Sequence, residues 1–87
     1  MTDEFFIVVD VGLRRLTVLH VFGQFSEDEV EDVKEDITQY YVSWWRWLGI
    51  LDNDNRDTRI SVVKSSDLEE IISKAGAVEY RDVKSIK

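Results

Sequence analysis

The 87-residue sequence has no cysteine and no proline, one histidine, one methionine and four glycines. Without cysteine there are no disulfides, no thiolate metal ligands and no cysteine nucleophile. A cysteine-free chain fits a reducing compartment, and no predicted helix is interrupted by proline. Basic residues are also scarce, since 11 lysines and arginines stand against 18 aspartates and glutamates, and the formal net charge is −7.

Long apolar runs are missing as well. No segment approaches the ~20 apolar residues of a membrane span, and the start MTDEFFIVVDV carries acids where a signal peptide carries basic residues. We therefore expect a soluble, cytoplasmic protein with no membrane partner. A length of 87 residues predicts a single domain, residues 1–87, with one modest core. The acidic balance disfavours direct binding to nucleic acid, which is itself a polyanion.

The most extended pattern in the chain is an amphipathic helix between Ser26 and Gly49. Ser26 and Glu29 match the S-x-x-E capping box, and glycine commonly follows the last turn of a helix. At about 100° per residue, six apolar side chains fall on one stripe. These are Val30, Val33, Ile37, Tyr41, Trp44 and Leu48. We expect this stripe to pack on a sheet while the carboxylates point away from it.

The first half of this helix is dense in carboxylates. Residues 27–36 contain seven acidic side chains and one basic one, Lys34. Seven charges over about 15 Å of helix give one charge per ~2 Å, close to the ~1.7 Å of duplex DNA. Two interpretations stay open. The surface either occupies a basic, nucleic-acid-binding groove of another protein, or it only keeps the protein in solution.

The second half of the helix is rich in aromatic residues. Five of them fall within eight positions: Tyr40, Tyr41, Trp44, Trp45 and Trp47. Tyrosine and tryptophan are enriched at the energetic centres of protein interfaces. With Trp44 on the apolar stripe, Trp45 and Trp47 lie on its two sides, so we expect at least one of them to be partly exposed. The alternative is that they all fill the core of a small domain.

Four segments have the β-branched and aromatic composition of strands. They are Glu4–Val11, Leu16–Phe22, Thr58–Lys64 and Ala77–Asp82. The first is apolar on both faces, which indicates a central strand. A second helix is predicted at Asp67–Ala75, with Ser66 as its N-cap. The order β-β-α-β-α-β predicts an α+β fold, in which a mixed four-stranded sheet carries the long acidic helix on one face. The strand order stays open.

No group of residues forms a recognisable catalytic or cofactor site. His20 lies inside a predicted strand, and a packed or sheet-edge histidine is favoured over a general base or pH switch. The aspartates of residues 52–57 begin like a calcium loop but lack its glycine and its final glutamate. The pair Arg14 and Arg15 in the predicted hairpin turn is weak evidence for phosphate binding, and the glycines form no nucleotide-binding pattern. We expect no enzyme activity, no metal and no cofactor.

Charge and size therefore favour a small acidic protein-binding module. We expect an inhibitor or modulator that occupies a basic, nucleic-acid-binding surface of another protein. By analogy of size and charge, such proteins are typical of phage-encoded antagonists, including DNA mimics and anti-CRISPR or anti-restriction proteins. The residues assigned to partner binding are Glu27, Asp28, Glu31, Asp32, Glu35, Asp36, Trp45 and Trp47. The alternative is a self-associating structural subunit, whose Trp-rich helix end and open sheet edge form a homodimer.

Overall fold

A computed structural model of the chain describes residues 4–12, 17–48 and 60–86, leaving the side chains of residues 45–48, 85 and 86 outside the description. The fold is α+β in the order β-β-α-β-α-β, as the sequence predicts. Its elements are β1 (Phe5–Asp10), β2 (Val18–Phe25), α1 (Glu27–Leu48), β3 (Ile60–Lys64), α2 (Ser65–Ser73), β4 (Ala77–Arg81) and a final 3₁₀ helix (Val83–Ile86).

The four strands form one mixed sheet in the order β3-β1-β2-β4. β1 runs antiparallel to both β2 and β3, while β4 runs parallel to β2. The prediction of a central first strand is confirmed. β2, β3 and β4 consequently point the same way, so the connections from β2 to β3 and from β3 to β4 must each cross the sheet. α1 makes the first crossing and α2 the second.

The two helices lie on opposite faces of the sheet, and the strand alternation explains why. Ile7 and Val9 of β1 face α1, whereas Val8 faces α2. On the α1 side the buried cluster consists of Ile7, Val9, Phe22, Val30, Ile37, Tyr41 and Ile60. On the α2 side it consists of Val8, Leu19, Val21 and Leu68. The sheet is thus covered on both faces, and the long helix packs across one of them as predicted.

β2 contains an irregularity that the alternating pattern does not reveal. Phe5 pairs with Phe25 and Ile7 with Phe22, so β2 has one extra residue in this stretch. The resulting bulge lets both Phe22 and Phe25 contribute to the α1 side of the core, although strict alternation would place them on opposite faces. Gly23 lies within the bulge, and its backbone runs directly against the ring of Phe6.

The start of α2 differs from the prediction. The sequence suggested Ser66 as the N-cap, but α2 begins at Ser65, directly after β3, and its N-cap is Lys64 without a side-chain hydrogen bond. The Ser65 amide instead donates to the Glu4 carbonyl oxygen at 3.1 Å. This hydrogen bond continues the pairing of β1 with β3 into the first residue of α2, so one of the free amides of the first turn is satisfied by a neighbouring backbone. The helix also ends at Ser73 rather than Ala75.

Candidate functional site

The carboxylates of α1 form one continuous exposed surface. Six of them are the acidic face, defined as Glu27, Asp28, Glu31, Asp32, Glu35 and Asp36, and all six side chains are exposed. The opposite side of the same turns is sealed, because Val30 and Ile37 are buried against the sheet. Lys34, the one cation in this stretch, is only partly exposed. The prediction for this part of α1 is therefore confirmed: the carboxylates face outward and the aliphatic side chains face the sheet.

The seventh carboxylate of this stretch has a local role at the start of the helix. The Ser26 amide donates to Glu29 Oε1 at 2.9 Å, which is the reciprocal half of the predicted capping box. The Ser26 carbonyl oxygen accepts from the amides of Glu29 and Val30. Glu27 and Asp28 follow in the first turn, where negative charge interacts favourably with the positive end of the helix dipole. The capped start and the buried stripe hold the acidic face in place.

The aromatic end of α1 is arranged differently from the prediction. Tyr41 is buried, with 1% of its surface exposed, but Trp44 is 40% exposed and Tyr40 is 37% exposed. The expectation that Trp44 lies in the core is wrong. Tyr41 is the last α1 side chain in the buried cluster, and Trp44, about one turn later, lines a cleft together with polar side chains of the sheet. The side chains of Trp45 and Trp47, both assigned to partner binding, lie outside the described residues.

Those polar side chains come from two neighbouring strands. His20 of β2 pairs with Glu79 of β4 in the parallel register, so both project toward α1. His20 Nε2 lies 3.2 Å from Glu79 Oε2, and His20 Nδ1 lies 2.7 Å from the Tyr41 hydroxyl oxygen. Arg81 Nη1 is 3.5 Å from the same Nδ1. Since arginine only donates hydrogen bonds, Nδ1 is assigned as the acceptor and Nε2–H as the donor to Glu79.

Burial and neighbouring charges set the protonation of this cluster. Burial lowers the pKa of His20 below its ordinary value; Glu79 opposes that shift and Arg81 reinforces it. Burial also raises the pKa of Tyr41 to about 12, although the adjacent Arg81 guanidinium acts in the other direction. At neutral pH the tyrosine is therefore protonated, and the neutral form of the histidine is favoured. The cluster thus links α1 to β2 through the Tyr41–His20 hydrogen bond and β2 to β4 through the contacts of His20 with Glu79 and Arg81.

The cluster forms one wall of a small cleft. Its volume is about 160 Å³, and the described residues that line it are His20, Tyr40, Tyr41, Trp44 and Arg81. Tyr41 makes edge-to-face contacts with Tyr40 and with Trp44, at ring-centroid distances of 5.1 and 6.3 Å. The prediction of a packed histidine did not reveal this site, because Arg81 and Glu79 are about 60 positions away in sequence. Only the β2–β4 pairing brings them to His20.

The structure leaves the other candidate residues of the sequence analysis undescribed. The aspartates of residues 52–57 and the pair Arg14 and Arg15 lie outside the described residues. Across the described ranges, no three histidine, aspartate or glutamate residues come together in a way that could hold a metal ion. In the same ranges, neither helix has the combination of length and apolar character that a membrane crossing needs.

Comparison with protein-family models, with curated proteins and with solved structures finds no match for this chain.

Proposed function

We propose that this protein is a protein-binding module whose acidic face occupies a basic surface of another protein. The partner surface is one that binds nucleic acid in the absence of this protein, so the module acts as an inhibitor or modulator. The observation that supports the proposal is the exposure of all six carboxylates of the acidic face on a helix whose opposite side is buried. A rigid row of negative charges is the feature that a basic groove recognises.

The spacing of the charges favours a nucleic-acid-binding groove over other basic surfaces. Residues 27–36 rise by about 15 Å, so their seven carboxylates give roughly one charge per 2 Å, against one per ~1.7 Å in duplex DNA. Lysine and arginine side chains that are spaced to neutralise phosphates can therefore contact several of these carboxylates at once. Phage-encoded DNA mimics and anti-defence proteins work by this kind of competition, and we place the module in that class.

Exposed aromatic groups lie on the same helix beyond the acidic face. Tyr40 and Trp44 offer large, part-exposed rings about one and two turns after Asp36. Such rings carry much of the binding energy in many interfaces. In this proposal, charge provides fast, salt-dependent association, while the aromatic rings slow dissociation. In this proposal, Trp45 and Trp47 also belong to the aromatic end that contacts the partner.

The experiment is a pull-down with the tagged protein from a cell extract, eluted with a salt gradient. The test variant reverses three charges of the acidic face: Asp28→Lys, Asp32→Lys and Glu35→Lys. A matched control reverses Asp67→Lys, Glu69→Lys and Glu70→Lys, which are exposed on α2 across the sheet. Each reversal raises the net charge by two, so both triple variants carry a formal net charge of −1 instead of −7.

The proposal expects nucleic-acid-binding proteins on the wild-type and α2-variant columns, released at moderate to high salt, and none on the acidic-face variant. Far-UV circular dichroism must show that both variants are folded. If the acidic-face variant retains the same proteins as the wild type, the acidic face is not the binding surface. If both variants lose them equally, net charge is responsible and the location of the charges is not.

The second candidate function is self-association. It is favoured by the open edge of β4, where Tyr80 is 66% exposed on the side opposite to α1. In this case the charges would only maintain solubility, while a sheet edge and the Trp-rich helix end would form a homodimer. Sedimentation equilibrium separates the candidates, since a homodimer persists at 0.5–1 M salt, where surface charges are screened within about 3–4 Å. A homodimer with a dissociation constant of ~1 μM would be almost fully formed at ~100 μM protein. A monomer at that concentration would therefore exclude self-association as the function.

A further inference from the structure

The cleft between α1 and the β2–β4 pair combines one cation with three aromatic rings. Arg81 and His20 come from the sheet, while Tyr40, Tyr41 and Trp44 come from the helix. Two of these rings are more than one-third exposed at the cleft. A concave site that combines aromatic walls with a few converging polar groups resembles the small-molecule sites of proteins.

The size of the cleft limits what it can hold. Sites for drug-sized ligands measure about 300–1,000 Å³, whereas this cleft measures about 160 Å³. A cavity of about 150 Å³ is known to admit a single benzene ring. The volume therefore fits one aromatic ring with a small substituent and excludes a nucleotide.

The positive charge of Arg81 in the cleft indicates which substituent a bound aromatic ring would carry. Arg81 is half-buried, and no carboxylate among the described residues lies within ion-pairing distance of its guanidinium. Its neighbours in the cluster are His20 and Tyr41, which are favoured in their neutral forms at neutral pH. The acidic residue of the cluster, Glu79, contacts Nε2 of His20, whereas Arg81 lies near Nδ1 of the same ring. A part-buried guanidinium next to neutral partners is well suited to receive an anion.

We propose that this cleft binds a small aromatic carboxylate. The carboxylate pairs with the Arg81 guanidinium, which offers two parallel N–H donors in a planar fork. The ligand ring packs against the exposed rings of Tyr40 and Trp44. The hydrogen bond from Tyr41 to His20 holds the floor of the cleft in place. The cleft shares the rings of Tyr40 and Trp44 with the aromatic end of the proposed partner surface but contains no residue of the acidic face, so benzoate binding is tested without the protein partner.

The probe is benzoate, titrated into the ¹⁵N-labelled protein and followed by two-dimensional NMR. Because the chain has one histidine, the imidazole signals of His20 report this site without ambiguity, and the Trp44 indole N–H is assigned with a Trp44→Phe variant. With about nine non-hydrogen atoms, benzoate should saturate these signals with a dissociation constant on the order of 1 mM. Benzyl alcohol lacks the charge and acetate lacks the ring, so each should bind at least ~10-fold more weakly.

The variants test the assigned roles. Arg81→Gln should weaken benzoate binding at least ~10-fold, and Arg81→Lys should weaken it less, because it keeps the charge but loses the fork. Lys74→Gln is the matched control: it also removes one positive charge, but from an exposed position on α2, and it should bind benzoate as the wild type does. If Arg81→Gln fails to fold, Trp44→Ala replaces it, since this side chain is partly exposed and its loss should also weaken binding several-fold.

The proposal is supported by saturable shifts confined to the cleft that depend on Arg81 and require both the ring and the carboxylate. It is overturned if the His20 and Trp44 signals do not move at ~50 mM benzoate, well above the dissociation constant expected for a ligand of this size. Equal binding of benzyl alcohol, or wild-type affinity in Arg81→Gln, also overturns it. Equal weakening by Lys74→Gln would show that only net charge acts, which is the same negative result.

Discussion

The hydrogen bond between Tyr41 and His20 makes a sharp test of how α1 is fixed to the sheet. Tyr41→Phe removes only the hydroxyl that lies 2.7 Å from His20 Nδ1, and the phenyl ring can keep its contacts with Phe22, Tyr40 and Trp44. The matched control is Tyr40→Phe, which removes the same hydroxyl from a side chain that is 37% exposed. The two variants have the same composition and differ only in position.

The expected cost follows from the burial of Tyr41 and the partial burial of His20. A typical hydrogen bond contributes about 0.5–1.5 kcal/mol net, and a buried acceptor left without its donor costs about 1–3 kcal/mol. Tyr41 is 1% exposed, so we expect Tyr41→Phe to lower the free energy of unfolding by about 1–3 kcal/mol, and Tyr40→Phe by less than ~0.5 kcal/mol.

Urea unfolding at pH 8 measures this effect. With a urea slope of about 1 kcal/mol/M for a small domain, the Tyr41→Phe midpoint should fall by about 1–3 M. A midpoint within ~0.3 M of the wild type would refute the argument. So would an equal loss in Tyr40→Phe, since the cost would then not come from the buried bond.

Three further predictions concern stability. Gly23→Ala places a methyl group onto the Phe6 ring and should lower the free energy of unfolding in urea by about 1–3 kcal/mol. A Phe6→Leu background should restore part of this loss. No loss, or no rescue, would contradict the close contact between Gly23 and Phe6. Burial lowers the pKa of His20 from its ordinary 6.5, so the unfolded chain takes up this proton more readily. Stability should be complete above pH ~6.5 and decline as the pH falls from there toward the lowered pKa; His20→Gln should flatten that decline, and an unchanged slope would contradict it. Ile37→Val removes one methylene from the fully buried α1 stripe and should cost about 0.5–1.5 kcal/mol, whereas no change in the urea midpoint would show that this contact is loose.

Local patterns in the sequence were sufficient for the four strands, for the two α-helices and for most of their inward faces, but not for the final 3₁₀ helix. The alternation in β1 separates Ile7 and Val9 from Val8, and the 3.6-residue period of α1 separates Val30 and Ile37 from the acidic face. Both follow from geometry within one element. The strand order did not follow, because it depends on which distant strands pair. The bulge at Gly23 was missed for a related reason, since a single extra residue leaves little trace in an apolar pattern.

The acidic face was predictable and the cleft was not. Carboxylates on a helix keep their solvent exposure whatever the helix packs against, so composition and period are enough. Trp44 continues the apolar stripe by spacing alone, but its place in the fold is opposite His20 and Arg81 rather than an apolar wall. That outcome depends on the register of β2 with β4, which no local pattern of either strand contains.

The central claim is that the acidic face occupies a surface that otherwise binds nucleic acid, and displacement of DNA tests it most directly. A nucleic-acid-binding protein recovered from the wild-type column is first bound to a fluorescent DNA duplex. The acidic module is then added at 0.15 M salt while the fluorescence anisotropy of the duplex is recorded. We expect the wild type and the α2 triple variant to release the duplex, whereas the acidic-face triple variant should leave it bound. A ternary complex, in which wild type and duplex bind the partner together, would contradict it.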